Sequence, residues 1–213
     1  MEVRAHDLLQ FRGAEDIIAS RPLPNWVVEA VKLAPFAVVR RAPVDQDNIP
    51  VGIRGPARNQ RFAAFLPRSA VIRHIAPEQL ARQQGWKQCL RGKQVKALQA
   101  LDFVDETCRI HQLLWGPAGS VGFELASGWP VVTAESDVDV VIRAPLFLPA
   151  WRARQIADDF SRAPVRIDVQ IETPRGAVSL IEYARGSMPI LLRTLAGPVL
   201  ADNPWEHHEN HSE

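Results

Sequence analysis

Two aspartates interrupt an apolar segment, Ser136-Asp137-Val138-Asp139-Val140-Val141-Ile142. A strand reconciles them. Successive side chains point to opposite faces, so Val138, Val140 and Ile142 enter a core while Asp137 and Asp139 share the other face, their Cα atoms about 7 Å apart. Adjacent carboxylates repel unless a cation compensates. At this spacing they can reach two divalent cations about 3.5–4 Å apart, the separation that clamps an in-line phosphoryl displacement. Hard oxygen ligands select magnesium, with manganese possible, over zinc.

Upstream, Gly116, Gly119 and Gly122 follow the apolar start Leu113-Leu114-Trp115. Gly119-Ser120 is placed where such a strand breaks into a turn. A short helix from Ser120 through Leu125 would aim unpaired backbone N–H groups and a positive dipole end at bound phosphates. The same glycines also suit a plain tight turn. Gly-Ser followed by Asp-x-Asp among apolar residues resembles the signature of the DNA polymerase β-like nucleotidyltransferase superfamily. The 16 residues from Val121 to Ser136 exceed that superfamily's usual spacing, so 127–135 is expected to be an inserted loop. The superfamily pattern also carries a third carboxylate on a neighbouring strand. Arg166-Ile167-Asp168-Val169-Gln170-Ile171-Glu172 alternates strictly, which makes Asp168 the candidate, although a half-exposed edge strand shows the same alternation.

The 213 residues are 46% hydrophobic, enough for one large core or two small ones. No apolar run approaches the roughly 20 residues that cross a bilayer, and the start, MEVRAHDLLQ, lacks the basic-then-apolar order of a signal peptide. A cytoplasmic protein with no membrane partner is expected. Cys89 and Cys108 form no C-x-x-C pair and are read as core or partly buried thiols. The net charge of +1 conceals an asymmetry: residues 1–100 hold 16 Lys and Arg against 8 Asp and Glu, and the remainder 9 against 16. Metal ligands belong with the acidic half, whereas the basic half suits an anionic substrate or an acidic protein partner. Two solvated surfaces of opposite sign that meet each other would show the same asymmetry. A nucleic-acid partner is not expected, because the basic half has no basic run interleaved with aromatics.

The fold class expected is α/β (α+β). It comprises a small basic N-terminal α+β domain over 1–85, a nucleotidyltransferase-like mixed sheet with helices over 86–205, and a flexible tail over 206–213 in which His207, His208 and His211 are read as disordered rather than metal-binding. In order, Asn25 is expected to cap a helix over 26–31 that Pro35 ends, and a strand covers 36–40. The glycines and prolines of Ile49–Phe65 predict an exposed loop that presents Arg54, Arg58 and Arg61, a setting in which guanidinium forks bind phosphate. Residues 77–84 are read as a hinge and 93–109 as a helix. A helix then starts near Pro149 with Trp151, Ile156 and Phe160 on its apolar side, followed by strand 165–172, helix 176–185 and strand 189–195. Strand and helix alternate from Leu113 to Leu195, which argues for layered α/β architecture.

Taken together, VGIRGPARNQRFAAF (51–65), LLWGPAGSVGFELASG (113–128), SDVDVVIRAP (136–145), RIDVQIETPRGAVSLIEYA (166–184) and LLRTLAGPVLADNPW (191–205) resemble the malonate decarboxylase holo-acyl-carrier-protein synthase family, also called phosphoribosyl-dephospho-CoA transferase. The resemblance covers nearly the whole chain. It implies magnesium-dependent transfer of a prosthetic group from 2′-(5″-triphosphoribosyl)-3′-dephospho-CoA to a serine of the acyl carrier protein subunit of malonate decarboxylase, with release of diphosphate. Asp137, Asp139 and Asp168 would be the metal-binding and catalytic residues, Asp168 also helping to deprotonate the serine. Gly119 and Ser120 would bind the leaving diphosphate. Arg54, Arg58 and Arg61 would hold the triphosphate, the CoA moiety, or acidic residues of the carrier. The alternatives are another nucleotidyltransferase, such as one moving AMP from ATP onto a protein or small molecule, and a non-catalytic carrier-protein or nucleotide-binding module. Intact Asp137 and Asp139 argue against the latter.

Overall fold

Apolar residues at Val27 and Val31, four apart on one helix face, are both buried, and Pro24 ahead of Asn25 fixes the backbone angle from which the helix starts. The computed structural model describes residues 2–206 apart from 46 and 58. Arg58 and the histidine tail expected to be disordered lie outside the described residues. Along the chain the elements are β1 (Leu8–Gln10), α1 (Asn25–Leu33), β2 (Phe36–Val39), β3 (Asn48–Arg54), β4 (Arg61–Pro67), β5 (Arg73–Ile75) and α2 (Pro77–Gln83). They continue with α3 (Lys96–Ile110), β6 (Leu114–Pro117), α4 (Gly119–Ser127), β7 (Val138–Arg143), α5 (Ala150–Phe160), β8 (Ile167–Thr173), β9 (Gly176–Ser179), α6 (Leu180–Ala184), β10 (Ile190–Thr194) and β11 (Gly197–Ala201). The protein is of the α+β class.

The first sheet has the order β4-β3-β2-β1-β5 and is antiparallel throughout. One face, with Leu9, Val39, Val51, Ile53, Phe62 and Leu66, packs on Val27 and Val31 of α1. Each such side chain contributes about 1.5–3 kcal/mol by leaving water. Leu8, Phe36 and Ile75 belong to a separate cluster with Leu80 of α2 and Phe123 of α4. Phe36 meets Phe123 edge to face at 6.4 Å.

The second sheet has the order β11-β10-β9-β8-β7-β6. It is mixed: β7 and β8 are parallel, and the other pairs are antiparallel. A parallel pair needs a crossover, which α5 supplies. Val138, Val140, Ile142, Ile167, Val169 and Ile171 pack beneath Leu98, Leu101 and Val104 of α3 and Ile156 and Phe160 of α5. Alternation then turns Asp139, Arg143, Asp168, Gln170 and Glu172 away from those helices, toward the first sheet.

Several local expectations give way to long-range pairing. The stretch 49–65 is a β-hairpin, not an exposed loop: β3 is flanked by β2 and β4, and its ladder runs from Asn48↔Pro67 to Arg54↔Arg61. Two neighbouring strands outweigh the turn preference of Gly52 and Pro50. Residues 77–83, expected within a hinge, form α2, with Pro77 at a position where its missing N–H costs nothing. Residues 176–179 form β9 on β8, which leaves helix only over Leu180–Ala184. Ile156 and Phe160 are buried as expected, but Trp151 is 64% exposed. Cys108 is fully buried and Cys89 partly so.

The seat of α2 is tight. A Cβ on Gly116 of β6 would lie 2.1 Å from the Pro77 carbonyl carbon, a backbone atom that cannot swing away. Gly116→Ala is expected to cost about 1–3 kcal/mol in urea unfolding. Gly85→Ala, with nothing within 4 Å of the new methyl, should stay within about 0.5 kcal/mol of wild type; equal losses in the two would show that α2 yields.

Candidate active site

Parallel pairing sets Asp139 of β7 directly beside Asp168 of β8. The two carboxylates therefore leave the same face on neighbouring strands. Asp137 precedes β7 by one residue and lies on the last step of the loop from α4, not inside the strand as expected. The side chain of Asp139 is pressed against the start of α4. Gly119 has φ +56, and a Cβ there would fall 1.7 Å from Asp139 Oδ2. The backbone N–H of Ala118 also donates to the Asp139 carbonyl, at 2.8 Å. A glycine is required here for two reasons: its left-handed backbone and its missing methyl.

Two adjoining cavities open from this point. The inner one, about 360 Å³, lies between the sheets and is lined by His6, Arg40, Gly119, Asp139, Asp168 and Gln170 among others. The outer one, about 400 Å³, is lined by Ser120, Thr133, Asp137, Asp139 and Asp168. Arg54 and Arg61 border both cavities. They are register partners at the turn end of the β3–β4 hairpin, flanking its connecting loop, so two guanidinium groups from the first sheet stand across from the carboxylates of the second. The structure thus gathers Asp137, Asp139, Asp168, Gly119, Ser120, Arg54 and Arg61 around one space.

Asp139 is harder to ionise than an ordinary aspartic acid. Burial is the main cause, the charges of Asp137 and Asp168 add to it, and Arg61 and His6 oppose it. Asp168 receives two bonds from Arg166, at 3.1 and 2.9 Å, both on Oδ1. Among the described residues no three His, Cys, Asp or Glu side chains form a ready-made metal cage. The donor set nevertheless suits magnesium, an ion usually held by one or two carboxylates together with waters and substrate phosphates. A bound cation would also relieve the repulsion that raises Asp139.

Other residues complete the site without an obvious mark in the sequence. Glu124 of α4 is 7% exposed. Its Oε2 accepts the N–H groups of Val131 and Val132, each at 2.8 Å, and its Oε1 accepts Arg91 Nε at 2.8 Å. The long loop that delivers Asp137 is therefore tied back to the helix carrying Ser120. A lone carboxylate in the apolar run Gly122-Phe123-Glu124-Leu125 was the available signal. Behind the inner cavity, Arg143 of β7 is buried among Asp7, Glu78 and Glu172, and Arg41 reaches Glu172 from the first sheet. Asp7 is also held by His74, at 2.7 Å.

Against this geometry, the profile of the phosphoribosyl-dephospho-CoA transferase MdcG N-terminal domain matches residues 4–77, and that of the MdcG C-terminal domain matches residues 79–204. The chain belongs to the phosphoribosyl-dephospho-CoA transferase family. Over 204 residues it is 38% identical to the phosphoribosyl-dephospho-CoA transferase of Pseudomonas putida, covering 95% of each chain. It is 36% identical to those of Pseudomonas aeruginosa (94% of this chain, 92% of the relative) and Azotobacter vinelandii (94% and 93%). No solved structure matches. As a member of this transferase family, the protein is an enzyme of group transfer.

Two outcomes test the site's construction. Gly119→Ala should cost about 1–2 kcal/mol through its left-handed backbone alone, and it should lower the transfer rate at least tenfold by displacing Asp139; an unchanged rate would detach Gly119 from the reacting centre. For Glu172, burial opposes ionisation, but His6 and Arg41 outweigh it and hold the group at about 2 against an ordinary 4.5. The unfolded chain therefore takes up this proton more readily. The stabilisation is complete above pH 4.5 and is lost as pH falls toward about 2. Glu172→Gln should unfold about 3–5 kcal/mol more easily at pH 7, with a shallower dependence on acid than wild type, as read by urea unfolding at pH 7, 4 and 3.

Proposed function

We propose that this enzyme transfers the 2′-(5″-phosphoribosyl)-3′-dephospho-CoA group from its 5″-triphosphate precursor to a serine hydroxyl of the malonate decarboxylase acyl carrier protein, releasing diphosphate. The observation that carries the reading is the confrontation of Asp137, Asp139 and Asp168 with Arg54 and Arg61 across one pair of cavities, in a chain of this family. We place the acid-bearing sheet in the DNA polymerase β-like nucleotidyltransferase superfamily on the same Gly-Ser and Asp-x-Asp residues. Units 1–85 and 86–205 then divide the work, the first supplying cations and the second carboxylates.

In the transfer, the serine oxygen bonds to the α-phosphorus of the donor as the bond from that phosphorus to the bridging oxygen breaks. Arg54 and Arg61 hold the triphosphate by paired N–H donors, and the opening turn of α4 at Gly119 and Ser120 offers backbone N–H groups to the departing diphosphate. Asp137 and Asp139 would hold magnesium or manganese, with Asp168 joining through Oδ2, and the ion would neutralise charge on the triphosphate. Glu124 keeps Asp137 in reach by fixing the loop before it. Among the described residues no helix is long and apolar enough to cross a membrane. Cys89 and Cys108 are free thiols, which suits a reducing cytoplasm.

The test is intact-mass analysis of the apo carrier subunit after incubation with enzyme, magnesium and the triphosphoribosyl donor. The carrier should gain the mass of the donor less diphosphate. Asp137→Asn and Asp139→Asn should each slow the gain at least about 100-fold without loss of fold by circular dichroism, and chelation should abolish it until magnesium or manganese returns. Retained transfer in both variants would remove the metal assignment. Arg61→Ala should raise the donor KM about tenfold with kcat little changed; an unaltered KM would take Arg61 off the donor.

A further inference from the structure

His6 stands in a turn that does not favour it. Asp7 N–H donates to the Arg4 carbonyl at 3.1 Å, closing a four-residue turn whose third position is His6, with φ 75. That position is normally given to glycine or asparagine, because a side chain there crowds the backbone. The turn is nevertheless pinned. His6 N–H donates to the Val39 carbonyl at 3.0 Å, and Arg4 N–H donates to Asp7 Oδ2 at 2.9 Å. Strain held this firmly at a cavity wall is a pointer to function.

The imidazole lines the inner cavity together with Asp139 and Asp168. Its Nε2 lies 3.5 Å from Glu172 Oε1, and Glu172 shares a strand face with Asp168 and Gln170. Arg41 and Arg143 stand behind Glu172, which keeps that carboxylate charged and acceptor-only. With a proton on Nε2 shared toward Glu172, the lone pair of Nδ1 is left to accept another. The remaining charged groups around this cavity are Arg40, Arg54, Arg61, Asp139 and Asp168. Of the carboxylates, Asp168 is engaged by Arg166 and Asp139 is pressed against the α4 turn, so neither is as well placed as His6 to take a proton from a neutral hydroxyl.

We propose that His6, oriented by Glu172, is the general base of the transfer. This deepens the proposed function and rests on it. The hydroxyl O–H bond of the acceptor serine breaks and its proton moves to His6 Nδ1 as the serine oxygen bonds to the α-phosphorus. The electron pair of the broken phosphorus–oxygen bond leaves with diphosphate, and the proton passes from imidazolium to water after release.

The turn geometry supplies a discriminating test. His6→Gly relieves the backbone and His6→Asn tolerates it, whereas neither side chain accepts a proton at neutral pH. Single-turnover transfer to the apo carrier is measured for wild type and both variants across pH, with donor KM and the thermal midpoint of each. Expected are a fall of about 10²- to 10⁴-fold in rate and a donor KM within about twofold of wild type. Added imidazole should restore part of the His6→Gly rate. Wild-type rates in both variants would overturn the assignment. So would variants whose loss lies in donor KM rather than in rate and is not relieved by imidazole, because that is the behaviour of a structural residue. If wild type itself transfers nothing from a verified donor, the proposed function fails and this assignment with it; active wild type beside unaffected variants removes His6 alone.

Discussion

A guanidinium group inside the protein decides how the two sheets sit together. Arg143 has a side-chain exposure of 8% and is approached by Glu78 of α2, Glu172 of β8 and Asp7 of the turn before β1. One buried cation thus draws a carboxylate from each of three segments. Its partners are imperfect: the closest Asp7 approach is 3.8 Å, and Asp7 Oδ1 and Arg143 Nη2 have no hydrogen-bond partner within the protein. Burying such groups costs more than their attraction returns unless geometry is good, so the network is better understood as specifying an arrangement than as adding stability. The arrangement it specifies is a fixed distance between the acidic face of β7–β8 and the cationic edge of β3–β4.

That distance is what makes chemistry available. Either sheet alone offers like charges in water, where repulsion is screened and phosphate is bound weakly. Brought face to face, the acids and arginines enclose two adjoining cavities of about 360 and 400 Å³ while part of their hydration is stripped away, which strengthens each electrostatic contact. The raised Asp139 and depressed Glu172 are two expressions of the same enclosure: burial, reinforced by neighbouring acids, raises the first, whereas His6 and Arg41 overcome burial at the second.

Much of the acid face could be seen in the sequence because it depends on a period of two. Val138, Val140 and Ile142 against Asp139, and Ile167, Val169 and Ile171 against Asp168, record in one dimension which side of the sheet is buried. The turn at Gly119 and Ser120 was visible for a similar local reason. What was hidden depends on residues distant in the chain. The hairpin from Asn48 to Pro67 looked like a loop because Pro50, Gly52 and Gly55 speak for turns, while the pairing that overrules them comes from β2 and β4. The first four residues of 176–185 were drawn into a strand by the free edge of β8. Trp151 fitted a helical stripe, yet its ring stays mostly exposed on α5. Gln170 shares the polar face that the alternation around Asp168 gives away, whereas His6 becomes a cavity wall only when the other sheet arrives, and nothing near it in sequence announces it.

The cluster formed by Leu8, Phe36, Ile75, Leu80 and Phe123 bears on how the protein comes into being. A growing chain emerges from its N-terminus, so the first sheet can assemble early around α1. Leu8, Phe36 and Ile75 then face water until α2 and α4 have been made, and only a chain that has reached Phe123 can cover them. Phe123, which completes this shield, sits on the same helix that seats Asp139 and anchors the loop of Asp137. For the nascent protein, the helix that finishes hiding its stickiest surface is thus also the wall against which the later strand β7 sets Asp139, so covering the first unit lays down one side of the cleft before its carboxylates arrive.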